Sequence, residues 1–293
     1  MTMSLTYESF SELLEIAKKE NKMICEIVIE DQCIEMKLSR SEIIEKMRER
    51  YHIMLDSMNE GLKEGVKSVS GISGGDARKL YNSIGGASVC GDSFTRAIAI
   101  AMAVNEHNAS MGKIVACPTA GSCGILPGAL IGLSLSHDID EDEVVKSMFT
   151  ASFVGMVVAK KASVSGAEGG CQAECGTASA MAAAAVCELL GGTPEMCVNA
   201  VAFVIKNVLG LVCDPVAGLV EAPCIKRNAS GVATAYMAAQ LALAGIKSII
   251  PTDETVQALK RVGDNMSTTL KETAEGGLAV TPTGCSICSR VHG

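Results

Sequence analysis

The chain has no tryptophan, and aromatic residues make up only 3% of its 293 positions. With so few rings there is little for nucleobases to stack on. No run of lysine or arginine offers a phosphate grip, and the net charge is −8. Both absences argue against a nucleic-acid partner. Met1 to Glu20 lacks a basic start followed by an apolar core, and the thirteen cysteines are an odd number. A secreted, disulfide-built protein is therefore disfavoured. Reduced thiols in a cytosolic, cytoplasmic setting fit better.

Long lipid-facing runs are missing too, although mean hydropathy is +0.30. The uncharged stretches 114–137 and 228–246 reach spanning length. The first is broken by Pro118, Pro127 and glycines, and the second is mostly small or polar. Neither has flanking aromatics, so both read as buried in protein and no membrane is expected. No GxGxxG follows a strand, no GxxxxGK[ST] occurs, and no internal repeat is found. The four histidines, His52, His107, His137 and His292, are too scattered for a zinc pattern.

What is present is helical. Ile43, Ile44, Met47, Tyr51, Met54, Leu55 and Met58 recur at helical spacing over 41–60. Asp140 with Glu143 opens a second helix that closes on Lys160 and Lys161. Thr193-Pro194-Glu195 is an N-cap, an N1 proline and a first-turn acid in order. Further helices are expected at 93–105, 124–136, 175–190, 229–245 and 253–270. The segment 24–36 is ambiguous, because Ile27-Val28-Ile29 permits a strand. No strand alternation follows, so the fold class is all-α. Abundant Gly, Ala and Met imply a core of small and flexible side chains.

Four glycine-rich loops precede helix-like runs: Ser73-Gly74-Gly75-Asp76, Pro118 to Gly124, Ala167 to Cys171 and Ala274 to Gly284. Free N–H groups at a helix start suit a small carboxylate, with Ser73, Thr119 or Ser122 adding hydroxyls. Close helix packing explains such glycines equally well. Among the cysteines, Cys25, Cys33, Cys90, Cys187 and Cys197 read as small buried hydrophobes. Cys171 with Cys175, and Cys285 with Cys288, have spacings that could hold zinc. Cys171, Cys213 and Cys224 are set too widely for a zinc finger. They lie in loops, two of them beside prolines. Three such thiolates can hold an iron–sulfur cluster and leave one iron open.

Ser73-Gly74-Gly75-Asp76-Ala77, the stretch Ala116 to Gly128, Glu168-Gly169-Gly170-Cys171-Gln172-Ala173-Glu174, the stretch Cys213 to Cys224, and Gly276 to Val280 together resemble the iron–sulfur-dependent L-serine dehydratases, α subunit. The likeness runs from about residue 40 to 288 and is most specific from Cys213 to Cys224. It implies conversion of L-serine to pyruvate and ammonia with a [4Fe–4S] cluster and no pyridoxal phosphate. The cluster cysteines of that family fall on Cys171, Cys213 and Cys224. It also implies a separate, smaller β subunit as partner.

The domain reading that follows is an N-terminal segment, 1–40, packed on a helical cluster-binding catalytic domain, 41–274, with a tail at 275–293. The loops at Ser73, Gly74 and Gly75 and at Thr119, Gly121 and Ser122 are expected to hold the substrate carboxylate. Lys79 is the candidate base, if burial lowers its pKa. Cys285 or Cys288 of the tail is expected to reach the open iron when substrate is absent. An L-cysteine desulfidase and a non-catalytic metal–thiolate scaffold are the alternatives.

Overall fold

Local signals set most of the helix boundaries. The computed structural model describes residues 7–293. Its first helices are α1 (Phe10–Glu20), α2 (Ile24–Met36) and α3 (Arg40–Gly61). Ser9 caps α1, and a reciprocal Ser39–Glu42 capping box opens α3. Next come α4 (Asp76–Tyr81), α5 (Asp92–Ala109), α6 (Ile125–His137), α7 (Glu141–Lys161), the single turn α8 (Gly166–Gly169) and α9 (Cys171–Leu189). The chain finishes with α10 (Pro194–Val208), α11 (Cys224–Leu243), α12 (Thr252–Asn265) and α13 (Pro282–His292). Asp140 caps α7 through the Asp142 N–H, one position short of the expected Glu143. Among the described residues there is no strand. One isolated parallel bridge joins Cys213 to Lys271.

α9 is the axle. Every residue from Cys171 to Glu188 is buried, and α6, α7, α10 and α11 surround it. Its composition explains this: alanines favour the helix and present no polar face that would need water. Small residues also let helices meet closely. A Cβ on Gly128 would lie 2.6 Å from Ala101 Cβ, and one on Gly132 would lie 2.6 Å from Ala97 Cα. The pair α5–α6 is therefore built on backbone contact where aromatic cores would use rings. No described helix is long and apolar enough to cross a membrane, and both uncharged stretches lie within this packing.

Three readings sharpen. Segment 24–36 is a helix, because Ile24, Ile27, Val28 and Ile29 all find buried partners on it. Tertiary burial overrides the β-branched preference. Within the tail, Pro282–His292 form α13, packed on the 3-10 turn Val216–Gly218. The helix expected at 253–270 stops at Asn265, and a 3-10 turn covers Thr268–Leu270. The first 40 residues contribute α1 and α2, which pack on α7, α10 and α12.

Candidate active site

Two helices begin on a cysteine. Cys171 is the first residue of α9 and Cys224 the first of α11, and neither helix has a side-chain N-cap. A helix start carries partial positive charge, which favours a thiolate. Cys213 joins them from the loop after α10. Its main chain is held on both sides: its N–H donates to Leu270 O at 2.9 Å, and its carbonyl accepts the Glu272 N–H at 2.8 Å. All three thiols are buried.

Backbone geometry brings them close. Gly170 takes φ 74°, and a Cβ there would meet Met266 Sδ at 2.6 Å and Leu211 O at 2.9 Å. Only glycine lets the chain turn into α9 at this point. Gln172 then ties the turn in place, donating to Leu259 O at 3.0 Å and accepting the Gly210 N–H at 2.9 Å.

The thiols interact. Hydrogen bonds from Cys175 and Cys213, helped by the Arg227 guanidinium, hold Cys171 well below the usual thiol range. Cys213 rises correspondingly, because it donates to Cys171 and is itself buried. Burial and the Cys171 charge push Cys224 up to about 12. Cys171 is therefore the thiol that ionises first. Arg227 is held by Asp214 at 2.7 Å and by Val212 O at 2.9 Å.

Donor spacing tests what the site can hold. Cys171, Glu174 and Cys175 offer ligand atoms within 4.8 Å of one another. Cys213 and Cys224 do not complete such a set with Cys171. A tetrahedral ion with bonds of about 2.3 Å needs its sulfurs within about 4 Å of each other. Cys213 nonetheless lies within hydrogen-bonding reach of Cys171, and soft thiolates such as these are the donor type of iron–sulfur clusters. Gly166 clears the space: a Cβ there would lie 3.0 Å from Cys213 Sγ, 3.1 Å from Glu272 Oε2 and 3.3 Å from Glu174 Oε2.

Glu174 is the site residue that sequence reasoning passed over, although it ends the quoted Glu168–Glu174 motif. It is 7% exposed, and burial pushes its carboxyl up to about 7 against the hydrogen bond from Thr119 Oγ1. Thr119 and Ser122 hydroxyls lie 3.1 Å apart, and a Cβ on Gly121 would sit 2.5 Å from Glu174 Oε1. The Thr119–Gly124 loop therefore packs directly on Glu174, one turn from Cys171.

The first loop behaves differently from the expectation. The N–H groups of Gly75, Asp76 and Ala77 donate to the buried Glu106 carboxylate at 2.8, 3.1 and 3.2 Å. The Ser73 hydroxyl donates to Glu221 at 2.5 Å. This helix start already has its anion, supplied by α5. Lys79 is also a correction: its side chain is 78% exposed and pairs with Asp76 at 3.0 Å. The burial that its role as base requires is missing.

Cys285 is exposed and Cys288 half-buried on α13, and neither joins the hydrogen bonds around Cys171. The four-thiol zinc site that their spacing allowed is not assembled. The histidines lie elsewhere in the bonding pattern: His52 pairs with Glu141, and His292 Nε2 meets Ala217 O at 3.1 Å.

An all-α domain with buried thiols at two helix starts and a buried carboxylic acid nearby marks a candidate thiol-based centre. The relatives make this particular. Residues 19–279 match the serine dehydratase alpha chain family, and the chain belongs to that family. It is 46% identical over 288 residues to the probable L-serine dehydratase, alpha chain, of Bacillus subtilis, covering 98% of this chain and 96% of that one. The L-serine dehydratase, alpha chain, of Peptoniphilus asaccharolyticus is 43% identical over 277 residues, covering 94% and 95%. An L-serine dehydratase of Streptomyces coelicolor is 37% identical over 292 residues, which span 95% of this chain and 62% of that longer one.

Proposed function

We propose that this chain is the α subunit of an L-serine dehydratase, with a [4Fe–4S] cluster held by Cys171, Cys213 and Cys224 and a separate β subunit as partner. The reading is carried by the convergence of these three buried thiols, in a chain whose relatives bear that name. When bound, the cluster supplies an open iron, a Lewis acid that makes the serine hydroxyl a better leaving group.

The chain's own residues do the rest. Arg227 offsets the negative charge that the thiolates bring into a buried site. Glu174, with a pKa of about 7, moves a proton at the reacting carbon. Thr119 orients that carboxyl, and the Gly121–Ser122 turn forms the wall on which the substrate carboxylate rests. Removal of the α-proton and loss of water leave an enamine, which tautomerises and hydrolyses to pyruvate and ammonia. No pyridoxal phosphate is needed for this sequence. α13 packs on the Val216–Gly218 turn between Cys213 and Cys224, and we assign to its Cys285 or Cys288 the role of covering the open iron when serine is absent. Reduced thiols of this kind belong in a cytoplasmic setting.

One observation favours a second reading. The compact Cys171–Glu174–Cys175 group suits a single ion, as in a non-catalytic metal–thiolate scaffold. The deciding experiment is anaerobic purification with and without the β subunit. Metal analysis and electron paramagnetic resonance then follow during an L-serine titration. Iron with a signal that shifts on serine, and pyruvate formed from serine, supports the proposal. Tightly bound zinc, or an iron signal indifferent to serine, overturns it. Sulfide released from L-cysteine in place of pyruvate from serine would mark a desulfidase.

A further inference from the structure

Asn228 is fully buried on α11, one turn beyond Cys224. Each polar atom of its side chain is used. Oδ1 accepts the Gly124 N–H at 2.9 Å, at the start of α6, and Nδ2 donates to Gly121 O at 2.8 Å and to Cys224 O at 2.9 Å. The Gly121 carbonyl has a second donor, Asn105 Nδ2 of α5, at 3.1 Å. The loop cannot slide away from these partners. A Cβ on Gly124 would strike Ala101 O at 2.0 Å, and one on Gly121 would strike Glu174. One amide thus spans two parts of the site that are about a hundred residues apart in sequence.

We infer that Asn228 is a positioning residue that couples the backbone of Cys224 to the Thr119–Gly124 loop. This deepens the reading above, on which it rests for the roles of thiol and loop. The amide suits the task chemically, since it must accept from an N–H and donate to two carbonyls at once. A carboxylate of the same shape cannot donate, and an alkyl group can do neither. A shift of the α11 start therefore reaches the loop through short, satisfied hydrogen bonds in a dry interior, where such bonds are costly to leave unmade.

A double-mutant cycle tests the link without metal or substrate. In the full chain, Asn105→Ala loosens the loop while leaving the Asn228 contacts in place. Its effect is read at the other end, as the rate of Cys224 alkylation by iodoacetamide, followed by peptide mass spectrometry. With Asn228 present, Asn105→Ala is expected to raise that rate about tenfold. In the Asn228→Ala background it is expected to add nothing. Effects that simply multiply would overturn the coupling. Asn228→Asp, which keeps the volume, takes the place of the alanine variant if that fails to fold.

The loaded enzyme gives a second readout. Asn228→Asp is expected to raise KM for L-serine about tenfold, with a smaller change in kcat and unchanged iron content. A loss of kcat in proportion to lost iron, with KM intact, would mean that Asn228 only holds the fold together. Failure of serine to act on the wild type would instead sink the proposed substrate and leave the alkylation cycle to judge Asn228.

Discussion

The two ends of α9 carry nearly the same side chains and do opposite things. At the start, Cys171 and Cys175 flank Glu174, whose carboxylate accepts the Thr119 hydroxyl. At the end, Cys187 precedes Glu188, whose carboxylate accepts the Thr150 hydroxyl and the Cys25 N–H, the latter at 3.1 Å. Cys25 and Cys197 complete a second buried thiol group, with the Cys197 thiol donating a hydrogen bond to Cys187. Counted by residue type, either end could bind metal. The helix dipole separates them: the first end favours a thiolate and the second disfavours it. Arg227 adds a half-buried cation at the first end. At the second end, Glu188 is used as a cap for the start of α2, and burial raises the pKa of its carboxyl and of the Cys25 thiol. Buried thiols are found at both ends of α9, but it is the α9 start that favours their ionisation.

The sharpest way to break this comparison is to delete one thiol from each end. Cys213→Ala is expected to drop bound iron to background and abolish turnover of serine. Cys197→Ala should keep both, at a stability cost of about 1 kcal/mol. Iron analysis beside urea titration reads the difference, and equal iron loss from both variants would refute it.

Arg227→Met comes next. It strands Asp214, which is 4% exposed at its side chain, and is expected to cost about 3 kcal/mol. Adding Asp214→Asn should recover much of that stability and none of the iron uptake, which separates the cation's electrostatic role from its packing. Gly166→Ala asks less of the fold, because its Cβ meets only side-chain atoms, Cys213 Sγ among them at 3.0 Å. Iron affinity is expected to fall about tenfold with little change in Tm.

The smallest effect belongs to the far end. Burial raises the Glu188 pKa above its ordinary value near 4.5. Stability from such a group is complete below 4.5 and is lost as pH rises through the raised value. Glu188→Gln does not titrate, so its Tm should gain on the wild type as pH climbs from about 4.5. A constant difference across that range would show that Glu188 is not the titrating group.

Helices with local signals were legible from the residues alone. Ser39 with Glu42, and Thr193 with Pro194, state their own beginnings. The all-α class and the meeting of Cys171 with Cys213 were within reach for the same reason: short motifs and a recognisable pattern. What stayed hidden is the set of caps supplied from a distance. Glu188 caps α2, Glu106 caps α4, Asn228 meets the start of α6, and Asp253 accepts the N–H groups of Phe10 and Ser11 at 3.0 Å. Each lies 29 to 243 positions from its partner, and nothing near Gly75 announces that Glu106 will fill it. Reading the Ser73–Gly75 loop as an anion site was sound chemistry. The anion simply belongs to the protein. Lys79 failed for the related reason that exposure is a property of the assembled surface.

The bridge between Cys213 and Lys271 has a consequence for how the site assembles. Cys171 and Cys224 reach their helix starts once α9 and α11 have formed, but the backbone at Cys213 gains its flanking hydrogen bonds only from Leu270 and Glu272. Asp214 likewise waits for the Leu278 N–H, 2.7 Å away. Cys213 is therefore held only once the downstream segment that carries Leu270, Glu272 and Leu278 has folded back on it. A group held at Cys213 would find that backbone in place only after this segment has docked.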